Sequence, residues 1–337
     1  MRSCPVRKEG RLSRVSSERS PIGTAVAPVH HGEILQGMFA ADGQVKRGLV
    51  SLPCDMYIVR ASFAIADSAE ITVSPGWKGK AKRAAELTTA TLQKHSGALL
   101  GGHLEIISRV PLGQGFGSST SDVLAAIWAV ADAFSVRLPA ANAAKLAVAA
   151  ETASDSLMFE DSSVLFAHRD GEVIEDFKDH LPRVRVLGFF ARPKHVRIDT
   201  LALSPARYAR REIEIFHDLR SDLREAIIDD NAQLLGRVAS ASAEINQKYL
   251  PIPELQKINE IGRAAGSVGI QISHSGNIAG LLFDAGDRDV LQRIDFSEKM
   301  LGEAGFNEQW QFSAGECGAA RKRDTSLQLD RGGHGTA

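Results

Sequence analysis

The sequence is poor in cysteine and aromatic residues, and it has no excess of charge of either sign. Its three cysteines, Cys4, Cys54 and Cys317, stand far apart with no C-x-x-C pair, which excludes a disulfide framework and a structural zinc site and points to a reducing cytoplasm. Lysine plus arginine number 40 against 41 aspartate plus glutamate, so no overall field draws the chain to nucleic acid or to an anionic membrane. Aromatic residues make up 6% of the chain and do not interleave with basic clusters as a nucleic-acid surface requires. No stretch approaches the about 18 to 20 uninterrupted apolar residues of a membrane span, and no internal repeat is visible. A small-molecule partner fits these absences best.

The two ends lack apolar content. Residues 1–22 hold Arg2, Arg7, Lys8, Arg11, Arg14 and Arg19 among serines without the apolar run of a secretory signal, and they read as a disordered basic arm. Residues 321–337 read as a disordered polar tail.

Between them lies enough chain for two lobes with proper cores, since 44% of the 337 residues are hydrophobic. Asp42-Gly43 predicts a hairpin turn, followed by a β-rich run from Met56 to Phe63 and a short strand at Ile71 to Val73. A helix is expected over Ala81 to Gln93. Leu104, Ile106, Ser108 and Val110 alternate as in a half-buried strand, and Val123, Ala126, Ile127, Val130 and Phe134 recur at helical spacing. The alanine-rich segment Ala140 to Ala153 predicts a second helix packed on the first. Strands are expected at Ser163 to Ala167 and Val184 to Phe190. Helices follow at Ala209 to Leu219, Leu223 to Gln247 and Pro253 to Ala265, the last closed by Gly266. Strands at Ile270–Ile272 and Ile278–Phe283, then a helix and a strand, complete the chain. This mixed order argues for an α+β architecture of two lobes, 23–180 and 181–320, with the boundary near Asp179 to Arg183.

The strongest local signal is Pro111-Leu112-Gly113-Gln114-Gly115-Phe116-Gly117-Ser118-Ser119-Thr120, set between a strand and a helix. Glycines let backbone N–H groups approach a phosphate, and a helix N-terminus adds partial positive charge. No lysine follows the last glycine, so the loop is not of the Walker type, and its G-x-G-x-G spacing is not the dinucleotide fingerprint. A simple tight turn capped by Ser119 and Asp122 explains the same residues.

Two further segments fall around this loop. Pro28-Val29-His30-His31-Gly32-Glu33-Ile34-Leu35-Gln36-Gly37 precedes it, and Ser273-His274-Ser275-Gly276-Asn277-Ile278-Ala279-Gly280-Leu281 follows. Together the three resemble the ordered motifs of the GHMP kinases. The glycine loop is similar to P-x-x-x-G-L-G-S-S-A, with Phe116 for leucine and Thr120 for alanine. The first segment resembles the P-x-x-x-G-E-[LI]-x-Q-G form of the L-threonine kinase branch, with His31 standing where that branch carries cysteine.

The resemblance implies a two-lobed GHMP kinase fold, with a ribosomal-S5-domain-2-like N-lobe and a ferredoxin-like C-lobe. It implies transfer of the γ-phosphoryl group of ATP to a hydroxyl, with L-threonine first among acceptors and homoserine, serine or another small alcohol as alternatives. By the same likeness Pro111, Gly113, Gly115, Gly117, Ser118, Ser119 and Thr120 would line the phosphates. Ser119 and Glu151 would hold Mg²⁺, and Asp155 would be the catalytic carboxylate. His31, Gly32, Glu33, Gln36, Ser275 and Gly276 would face the acceptor. If the alanine-rich helix continues, i, i+4 spacing puts Glu151 and Asp155 on one face. His30 and His31 have no further ligand at metal-binding spacing, and they read as polar residues of a turn or pocket. Asn246 and Gln247 close a long helix and either face the cleft or simply end it. A nucleotide-binding regulator without turnover is the rival of a different class, and homodimerisation through a sheet edge is left open.

Overall fold

A computed structural model describes residues 22–93, 100–193, 206–249, 251–273 and 276–315. The chain opens with two long antiparallel strands, β1 (Ile22–Ala41) and β2 (Gln44–Ala66). They turn at Asp42 and Gly43, whose φ values of 52° and 74° are the left-handed pair a two-residue hairpin needs. The first part of β1 alternates between buried and exposed residues, whereas Val29 to Leu35 is buried without a break. Both faces of the strand are covered there. The same stretch carries register irregularities between His30 and Glu33 and between Glu33 and Leu35, which re-aim its side chains out of the regular pleat.

β3 (Ile71–Ser74), α1 (Gly79–Gln93) and β4 (Gly101–Ser108) follow. α2 (Ser118–Ala133) and α3 (Ala140–Glu151) come next, then a short pair, β5 (Val164–Ala167) and β6 (Glu172–Asp176). α2 is buried around most of its circumference, lying between β1, β2 and the other two helices. The second half runs β7 (Val184–Phe190), α4 (Arg210–Ile228), α5 (Ala232–Asn246), α6 (Leu255–Ala265), β8 (Gly269–Ile272), β9 (Ile278–Asp284), α7 (Val290–Glu303) and β10 (Gln309–Ala314).

One sheet runs through both halves in the order β10-β7-β9-β8-β1-β2-β4-β3, with β5 and β6 attached to β2. Its two halves meet at β1 and β8, where Glu33 pairs with Ile272. In the second half the alternation of side chains feeds two cores. Val184, Val186 and Leu282 join the large core shared with the first half. Leu187, Phe189, Leu281 and Phe283 pack with Ile258, Ile261, Ile294 and Leu301 of α6 and α7. Among the described residues no helix is long and apolar enough to cross a membrane.

Three expectations are corrected. The break between the long helices falls at Asp229–Asn231, not near residue 221, because Asp230 takes a φ of 48° and the Asn231 side chain accepts the Leu234 N–H at 3.0 Å to start α5. The alanine-rich helix stops at Glu151, and Thr152 leaves it with a φ of 75°. β6 was not anticipated; it is a short, largely polar strand that pairs only with β5.

Candidate active site

The glycine loop connects β4 to α2, as its flanking patterns predict. Gly113, Gly115 and Gly117 take φ values of 67°, 107° and 67°, a region costly for residues with a Cβ. Space is also limiting at Gly117, where a Cβ would lie 2.2 Å from the His30 ring. Phe116 is buried and anchors the loop, with ring contacts to His31, Tyr57 and Trp310. Gly117 is the N-cap of α2 and, among the described residues, no side chain caps the helix. The N–H groups of its first turn thus have no side-chain cap, the arrangement in which a helix start can bind an anion. The capping-box alternative does not hold, since Asp122 is ion-paired with buried Lys78 instead.

The two serine-threonine hydroxyls that follow point to carboxylates. Ser119 Oγ donates to Glu151 Oε2 at 2.6 Å, and Lys80 Nζ donates to Ser119 Oγ at 3.1 Å. Thr120 Oγ1 lies 2.9 Å from Glu151 Oε1 and 3.0 Å from Asp155 Oδ2. Glu151 and Asp155 thus converge on Thr120, though not through the helical spacing expected of them. Asp155 lies in the loop beyond α3, where Ser154 N–H donates to the His168 carbonyl at 2.9 Å.

Burial of Glu151 pushes its carboxyl up to about 7, against the Ser119 hydrogen bond and with the help of the Asp155 charge. A desolvated carboxylate beside a hydroxyl is a hard-oxygen pair suited to Mg²⁺, which takes its remaining ligands from water and phosphate. The residues present therefore fit that ion. For Asp155, burial alone would raise the carboxyl, but the charge and hydrogen bond of His30 overcome it and hold it below the usual range.

His30, which the sequence marks only as a polar residue of a turn or pocket, stands beside these carboxylates. It is fully buried, with Nε2 2.9 Å from Asp155 Oδ2 and Nδ1 3.2 Å from the Gly32 carbonyl. Burial lowers its pKa, but Asp155 and then Glu33 outweigh this and raise it to about 9. His30, Glu33 and Asp155 each bring a ligand atom within 4.8 Å of the others, a grouping that the ion pair of His30 with Asp155 accounts for without a metal. Lys80 and His168 also escaped notice, since neither lies in a motif.

Of the residues that the resemblance assigns to the acceptor, Glu33 is buried at the seam of the sheet. The Gln36 N–H donates to Ser242 Oγ at 3.0 Å, its carbonyl accepts from Asn246 Nδ2 at 2.9 Å, and Tyr208 donates to Asn246 Oδ1 at 2.6 Å. Asn246 therefore does more than end its helix. His31 is enclosed among Phe116, Trp310 and Phe312, with Nδ1 2.8 Å from Gln271 Oε1. Burial lowers its pKa to about 4, so the ring is neutral. Gly276 lies against the glycine loop, where a Cβ would stand 2.3 Å from the Gln114 backbone, and Asn277 N–H donates to the Gln114 carbonyl at 2.9 Å. Gly276 and Asn277, just before β9, thus brace the loop. Ser275 and His274 lie outside the described residues.

Comparison with known proteins agrees with this geometry. Residues 80–159 match the GHMP kinases N terminal domain. An L-threonine kinase of Citrobacter freundii is 25% identical over 217 residues, 61% of this chain and 69% of the relative. The L-threonine kinase of Salmonella typhimurium is 24% identical over 287 residues, 83% of this chain and 89% of the relative. Among solved structures, homoserine kinase from Cytophaga hutchinsonii superposes with a TM-score of 0.65 at 14% identity, covering 90% of this chain and 97% of its own. That last likeness is one of fold.

Proposed function

With residues 80–159 forming a GHMP kinase N-terminal domain on the fold of the GHMP kinases, we propose that this protein transfers the γ-phosphoryl group of ATP to the hydroxyl of a small hydroxy amino acid, L-threonine before homoserine or serine. The observation that carries the reading is the convergence of Ser119 and Thr120, the first hydroxyls after the glycine loop, on Glu151 and Asp155.

The backbone N–H groups of the loop and of α2 bind and orient the triphosphate. Ser119 and Glu151 would hold Mg²⁺, which supplies charge neutralisation at the phosphates when bound. Asp155 Oδ2 is engaged by His30 and Thr120, and the side chain is 21% exposed, leaving Oδ1 to accept the proton of the acceptor hydroxyl. Phosphoryl transfer rests mainly on positioning and charge stabilisation, so a carboxylate held below the usual range serves by orienting the hydroxyl. Glu33 would meet the ammonium group of the acceptor, beside Gln36, whose backbone is held by Ser242 and Asn246 of α5. The L-threonine kinase relatives favour that acceptor.

The test is ADP release from Mg·ATP across a panel of L-threonine, L-homoserine, L-serine and simple alcohols. L-threonine is expected to give the largest kcat/KM. No release above the ATPase background with any acceptor would leave a nucleotide-binding regulator as the reading.

A further inference from the structure

We propose that His30 is a positioning residue that locks Asp155 to the phosphate loop, so that Oδ2 stays engaged while Oδ1 meets the acceptor hydroxyl. The inference rests on the kinase reading and adds to it a residue outside the predicted site.

Three hydrogen bonds and one packing contact carry it. The His30 N–H donates to the Phe116 carbonyl at 3.4 Å, and the ring lies directly against Gly117, both in the glycine loop. Nε2 reaches Asp155 Oδ2 at 2.9 Å. Nδ1 reaches the Gly32 carbonyl at 3.2 Å, an approach made possible by the left-handed φ of 64° at Gly32. A carbonyl and an ionised carboxylate only accept, so both ring nitrogens must donate and the ring is an imidazolium. The result is a charge-assisted hydrogen bond inside a closed environment, where such bonds are strong and directional.

The charged and titratable groups around the pair are few. His31 and Glu33 flank His30 on its own strand, Asp155 faces it from beyond α3, and the glycine loop presents no charge. Glu151 and His168 act on Asp155 from α3 and from the turn after β5. Glu33 reinforces the charge of His30 while burial and neutral His31 do not. Removing His30 therefore leaves Asp155 buried beside Glu151 with only the Thr120 hydroxyl, and its proton is lost at higher pH.

The experiment compares the pH dependence of kcat for the full chain and its His30→Gln and His30→Lys variants, at saturating Mg·ATP with whichever acceptor turns over best. His30→Gln is expected to move the acid limb upward by about one pH unit or more and to lower kcat near pH 6.5 by ~100-fold, with the KM for ATP within roughly threefold. His30→Lys, which restores a cation, is expected to return the limb toward that of the wild type. A His30→Gln profile with an unmoved acid limb overturns the inference alone. A wild type inactive with every acceptor overturns the kinase reading and this inference with it. As a check that needs no folded variant, the His30 ring is expected to remain protonated at about pH 8 in an NMR titration of the wild type; a neutral ring at that pH overturns the proposal.

Discussion

Thr120 Oγ1 stands midway between two carboxylates, 2.9 Å from Glu151 Oε1 and 3.0 Å from Asp155 Oδ2. A hydroxyl has one proton to donate, so it can serve only one of them at a time as a donor. The other must bring a proton of its own or meet a cation. Thr120→Val keeps the shape and removes the hydroxyl, leaving two buried carboxylates without their shared partner. Loss of kcat by ~10 to 100-fold is expected, with a stability cost of about 1–3 kcal/mol. Steady-state kinetics and urea unfolding measure the two effects.

On the proposed function, Asp155→Asn removes the charge that would orient the acceptor and leaves the glycine loop untouched. Its kcat is expected to fall by ~10² to 10⁴-fold with the ATP dissociation constant nearly unchanged. Glu151→Gln should instead raise the Mg²⁺ concentration needed for half-maximal rate. Titration of nucleotide and metal separates the two carboxylates; equal turnover of Asp155→Asn and wild type would remove that residue from the mechanism.

Glycines of the loop are not equivalent. At Gly113 a Cβ meets nothing within 4 Å, whereas at Gly117 it falls 2.2 Å from the His30 ring. Gly113→Ala bears only the cost of its left-handed backbone, roughly 1 kcal/mol. Gly117→Ala adds a collision that displaces His30 and, through it, Asp155. The expected order is a small rise in the KM for ATP for Gly113→Ala and a collapse of kcat for Gly117→Ala.

Acid should weaken the protein through His31. Its ring is held neutral by burial, with a pKa of about 4, so the folded state resists a proton that the unfolded chain accepts near 6.5. The stability this contributes is present above that value and is lost as pH falls toward 4. Between pH 7 and 5 the loss is on the order of 2 kcal/mol. His31→Gln has no such proton to take up, so its thermal midpoint should fall less than that of the wild type over this range. His168, also lowered to about 4 by burial, acts in the same sense and remains in both proteins, so the difference isolates His31.

The parts of the fold written in local pattern were legible: the Asp42-Gly43 turn, the alternation of β4, the helices after the glycine loop and the left-handed cap at Gly266 (φ 74°). The three motifs marked the glycine loop and the segment that braces it, whereas Glu151 and Asp155 lie outside them and were singled out by the family resemblance alone. What escaped was set by contacts distant in sequence. His30 meets Asp155 across 125 positions, and Lys80 meets Ser119 across 39; neither spacing leaves a periodic trace. The burial of His31 was equally invisible, because its enclosure depends on Trp310 and Phe312 from the last strand. The break between α4 and α5 was readable in Asp229-Asp230-Asn231, a turn and cap signal outweighed in the sequence reading by the helical periodicity on either side.

The pairing of Glu33 with Ile272 has a mechanical meaning. Glu33 is itself a rung of the backbone ladder that joins the strands of the two halves. Three residues earlier on the same strand, His30 reaches Asp155 and the glycine loop. The glycine loop, Asp155 and Glu33 are therefore gauged from one stretch of peptide, and a slip of that stretch by a single residue would throw them out of line together.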